Sequence, residues 1–153
     1  LDPPDVGRVA FGLGFGAPHR GLTAETWTAV RSELPRFSHP ALCAGRGARE
    51  MDRRYLLFST DLDELTLDLP GCSPETIAVG LGLQLARETL PDRPWPGGAP
   101  ALEDWLAGPA SPAQRAAFQC AFLAESEYLG RLASDRWHDL PGSPTLERCL
   151  QAR

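Results

Sequence analysis

Between Val9 and Gly16 the chain alternates bulky and bare residues without a break. Val9, Phe11, Leu13 and Phe15 fall on one side, and Ala10, Gly12, Gly14 and Gly16 on the other. Period-two alternation puts two such sets on opposite faces of an extended strand, and a glycine face lets another backbone approach closely. The stretch predicts a strand over residues 8–15, a turn at 17–21 and a helix over 24–34. Thr23 stands as the N-cap of that helix, Trp27, Val30 and Leu34 recur at helical spacing, and Pro35 stops it.

Further strands are predicted at 41–44, at the apolar run 55–58 and at the alternating run 65–69, the last two joined by a hairpin loop over 59–64. Ser73-Pro74-Glu75 opens a helix with Ile77, Leu81 and Leu85 on one face and the small Ala78, Gly82 and Ala86 beside them. A Pro/Gly-rich loop spans 91–100. Ser111-Pro112-Ala113-Gln114 forms a capping box for a helix to residue 134, burying Phe118, Phe122, Leu129 and Leu132, and a short helix closes the chain at 145–151. No internal repeat and no low-complexity tract is read from the chain. This order predicts an α+β fold in a single domain over 1–153: a small mixed β-sheet in the N-terminal ninety residues, backed by helices, with a helical C-terminal third.

The net charge of −5 opposes a nucleic-acid partner, which needs a clustered basic face. The dense basic stretch Arg46, Arg49, Arg53 and Arg54 is interrupted by Glu50 and Asp52 and reads as a solvated loop. No apolar run reaches membrane-spanning length, and the first residues lack the pattern of a signal peptide. The chain has no Lys, no Asn and one Ile, the mark of a GC-rich genome, so its exclusive use of Arg carries little functional meaning. Cysteines at 43, 72, 120 and 149 are too dispersed for a C-x-x-C motif; they read as reduced thiols in a cytoplasmic protein.

Several constellations carry possible chemistry. Gly12, Gly14 and Ala17 satisfy the spacing of a dinucleotide-binding fingerprint, but the next helix begins too late for its amides to meet a pyrophosphate. His19 and Arg20, just before that helix, are candidate anion ligands. Cys72 directly precedes a helix N-terminus, where amide dipoles favour a thiolate, which makes it the candidate nucleophile. Asp61 and Asp63, with Glu64 and Asp68, are candidate ligands for a hard cation, although the spacing is not that of a calcium loop. The surrounding "YLLFSTDLDELTL" resembles the nucleophile motif of haloacid-dehalogenase-type phosphatases, which implies a metal-dependent hydrolase. It departs from that motif in the inserted Ser59 and Thr60, in Glu64-Leu65 where Gly-Thr is usual, and in the absence of any Lys.

His19, His39 and His138 offer no paired spacing for zinc, and no metal or cofactor is expected. Trp95, in the Pro/Gly loop, and Trp137, near a helix end, are candidate partner contacts. The small, acidic character is similar to that of secretion-chaperone-like proteins, which implies binding to other proteins. The sequence therefore points to a non-catalytic cytoplasmic binding or adaptor protein, acting on another protein or on itself through its sheet face or Trp-bearing loops. An enzyme or ligand-binding protein using His19 and Arg20 or Cys72 is the alternative, and a hydrolase centred on Asp61 and Asp63 the third reading.

Overall fold

A computed structural model describes residues 2–16, 23–57, 71–89, 106–108, 110–132 and 143–151. Six α-helices run through them: α1 (Pro3–Gly16), α2 (Ala24–Ser32), α3 (His39–Leu57), α4 (Pro74–Glu88), α5 (Pro112–Leu132) and α6 (Thr145–Gln151), with a 3-10 turn at Arg36–Ser38 ahead of α3. The described residues contain no strand, so the α+β expectation gives way to an all-helical fold. The strand expected at 8–15 is α1, and those expected at 41–44 and 55–57 lie within α3. Phe58, the hairpin loop and the strand expected at 65–69 lie outside the described residues.

Helix starts follow the local chemistry. Thr23 Oγ1 accepts the Thr26 amide at 3.0 Å, and Ser73 Oγ accepts the Thr76 amide at 3.3 Å ahead of Pro74. Ser111 Oγ accepts from the Gln114 amide at 3.1 Å while the Ser111 amide donates to Gln114 Oε1 at 2.7 Å, the reciprocal capping box. The far end of α2 is closed from a distance: His39 Nε2 donates to the carbonyls of Arg31 and Leu34, at 2.8 and 3.1 Å.

Four helices pack side by side in the order α1, α3, α4, α5. Contacts advance together along both members of each pair, so the helices run the same way. Gly7 lies near Ala41 while Phe15 lies under the Arg49 guanidinium, and Gly82 meets Phe118 while Arg87 meets Glu125. The short α6 folds back against α5, bridging Cys120 to Cys149 and Glu125 to Thr145.

One device recurs at every junction of the four-helix row. A Cβ on Gly14 would strike the main-chain carbonyl of Leu42, and one on Gly45 would strike that of Phe11. Gly80 sits in the same way over Ala44, and Gly47 over Ile77. Each glycine thus lies over the carbonyl three residues before the glycine of its partner. Gly82 lies over Phe118, and the fully buried Ala121 stands three residues after it, where the second glycine would be.

The alternation that imitates a strand is therefore a helix packed on two sides. Residues two apart sit about 200° around a helix, so Gly45 and Gly47 face opposite neighbours, as do Gly80 and Gly82. Such contact brings the backbones close and leaves little room for side chains between them. In consequence α3 is buried at every residue from 41 to 48, and α4 from 76 to 86. The segments Val9-Ala10-Phe11-Gly12-Leu13-Gly14 and Ile77-Ala78-Val79-Gly80-Leu81-Gly82 are two copies of one six-residue pattern, which corrects the expectation of no internal repeat.

Candidate functional site

Charged groups lie within this packing. Arg46 and Glu50, expected in a solvated loop, pair at 3.1 Å in the middle of α3 with side chains 2% and 1% exposed. Four residues apart on one helix, they reach each other without strain, and pairing offsets the desolvation that either charge alone would suffer. Glu125 of α5, equally buried, accepts Arg87 Nε of α4 at 2.9 Å, Thr145 Oγ1 of α6 at 3.0 Å and the Ser143 hydroxyl. Arg87 also lies over the Phe11 ring of α1, 5.7 Å from its centroid. This clasp ties four helices together, and both Glu125 oxygens are taken by partners within the chain.

Among the described residues, a concave surface lies elsewhere, where the N-terminal ends of α1 and α3 meet α6. Pro3, Pro4 and Gly7 form one wall, Phe37, Pro40 and Ala41 a second, and Leu146, Glu147 and Leu150 the third, around a groove of about 350 Å³. The prolines belong here because first-turn positions need no amide hydrogen. Phe37, in the 3-10 turn, is 59% exposed at the rim.

One polar group interrupts this apolar lining. Glu147 Oε1 accepts Arg8 Nη2 at 3.2 Å, and Arg8 Nη1 donates to Asp5 Oδ1 at 3.0 Å. Two carboxylates share one guanidinium, which leaves the cluster one negative charge in excess. Glu147 Oε2 is buried and has no hydrogen-bond partner among the described residues. The Glu147 side chain is 27% exposed in an otherwise apolar lining, so the groove suits an apolar occupant bearing a positive charge.

The residues singled out from the sequence are not brought together here. Cys72 is bridged to Cys43, with Cα atoms 5.6 Å apart, and has no thiol left to ionise. Cys120 and Cys149 are bridged likewise at 5.8 Å, so the expectation of four reduced thiols is corrected. Cysteines spaced beyond any local motif give no pairing signal; only the fold puts these four within reach. His19, Arg20, Asp61, Asp63, Trp95 and Trp137 lie outside the described residues, and Trp27 is core. The sheet face expected as a binding surface does not exist among the described residues.

The groove has no linear signature, because Phe37, Leu146 and Leu150 come from distant segments. Pro3-Pro4 and His39-Pro40 were its only visible trace, as two proline-bearing helix starts. Among the described residues no helix is long and apolar enough to cross a membrane, and no three His, Cys, Asp or Glu side chains group to hold a metal ion. No protein-family model, curated protein or solved structure matches the chain.

Proposed function

We propose that this is a non-catalytic binding protein whose groove between α1, α3 and α6 receives an apolar segment of another protein carrying one basic residue. The observation that carries this reading is the Glu147 carboxylate, 27% exposed and part of a cluster with one negative charge in excess, in a wall otherwise built from Pro, Gly, Ala, Leu and Phe. Its volume of about 350 Å³ suits a few side chains. Phe37 at the rim has the aromatic, half-exposed character of residues that anchor interfaces.

All four cysteines form disulfides, and bridges of this kind persist in oxidising compartments. That supports work in such a compartment rather than the cytoplasm, the placement that reduced thiols would have favoured.

Two-dimensional NMR with short Leu- and Val-rich peptides containing one central Lys tests the reading. Shifts confined to Phe37, Ala41, Leu146 and Leu150 are expected. They should weaken when the peptide Lys becomes norleucine, and when Glu147 becomes Gln. Peptides that leave those four residues unmoved, or that bind equally well without the positive charge, refute it.

A further inference from the structure

The order of small residues along the helix row leaves one end open and the other closed. In α3 the earlier glycine, Gly45, faces the preceding helix α1, and the later one, Gly47, faces the following helix α4. In α4 Gly80 faces α3 and Gly82 faces α5. In α5 the earlier position is Ala121, and two residues later stands Leu123, 65% exposed, so a bulky side chain blocks any continuation there. In α1 the later glycine, Gly14, meets α3, while among the described residues nothing lies within 4 Å of a Cβ placed on the earlier one, Gly12.

Gly12 is flanked by Val9 and Leu13, 50% and 48% exposed, and by the open Gly16 one turn on. Its counterpart in the repeat is the Ile77, Gly80 and Leu81 face of α4, which is buried against α3. The same residue types are thus exposed on α1 and covered on α4. The contact that covers them joins parallel helices and is reciprocal, each glycine over the carbonyl three residues before the other. A reciprocal contact between parallel helices has the form of a two-fold axis, so one helix can make it with a copy of itself.

We infer that the protein forms a two-fold dimer in which α1 of one copy packs in parallel on α1 of the other. Gly12 of each then lies over the Val9 carbonyl of its partner, with Leu13 and Gly16 extending the contact. The interface continues the row of established junctions and joins two four-helix rows end to end. Because it is isologous it closes at two copies, and Leu123 at the far end of each row prevents further growth.

Sedimentation velocity and light scattering on the full chain, across a concentration series, test this. The wild type should sediment as a dimer of the 16.6 kDa chain. Gly12→Leu should raise the dimer dissociation constant by at least about tenfold, since an overpacked contact of this kind costs one to two decades of affinity. Its helical circular dichroism should be unchanged, because a Cβ on Gly12 meets nothing among the described residues. Val9→Glu, which places like charges across the axis, is the second variant and should also give monomer. A wild type that stays monomeric at every concentration overturns the inference. So does a dimer that survives both substitutions, or an assembly larger than two.

Discussion

Gly80 of α4 lies directly over the main-chain carbonyl of Ala44 in α3, with no space between them for a methyl group. The atom that would be struck is backbone in the centre of a buried helix, so it cannot swing aside. Gly80→Ala should therefore cost about 3 kcal/mol, the upper part of the usual range for overpacking. Gly130, near the end of α5, has nothing within 4 Å among the described residues, and Gly130→Ala should instead stabilise by about 0.5–1 kcal/mol through helix propensity alone. Denaturant titration of both variants checks the contrast; equal effects would remove close backbone contact as the basis of the row.

Glu125 is buried and accepts from Arg87, Ser143 and Thr145 at once. Glu125→Ala leaves two hydroxyls and a guanidinium without their acceptor and should destabilise by about 2–4 kcal/mol. Arg87 is itself partly exposed, so Arg87→Ala should cost less, about 1 kcal/mol. Hydrogen exchange should show the loss in Glu125→Ala concentrated in α6, whose N-terminus the carboxylate holds.

Each disulfide joins cysteines 29 residues apart. Closing a loop of that length restricts the unfolded chain by about 3–4 kcal/mol. Peptide mapping without reductant should recover Cys43 with Cys72 and Cys120 with Cys149. Native protein should take up no iodoacetamide, and reductant should lower the melting temperature. Labelling of Cys72 in the untreated protein would contradict the bridge.

The Ser111 cap spans four residues and involves no distant group. Ser111→Ala should cost about 1 kcal/mol, which for a chain of this size is about 2–4 °C in melting temperature. A loss well beyond that would mean that Ser111 serves more than its own helix.

Local chemistry fixed the start of α2, α4 and α5. Thr23, Ser73-Pro74 and the Ser111–Gln114 box act on amides three residues away, so their effect is complete within the stretch that reveals them. The tertiary structure alone decided the identity of 9–16. Alternating glycines satisfy a strand with one flat face and also a helix with two close neighbours, and which applies depends on the backbones that arrive alongside. Gly14 meets the Leu42 carbonyl, and that contact made the segment a helix in a row rather than a strand in a sheet. The same dependence hid the buried Arg46–Glu50 pair, the bridges from Cys43 and Cys120, and the groove beside Glu147. Each joins a residue to surroundings supplied by other helices, and burial is a property of the packed helices that a linear pattern of charges and apolar residues does not contain.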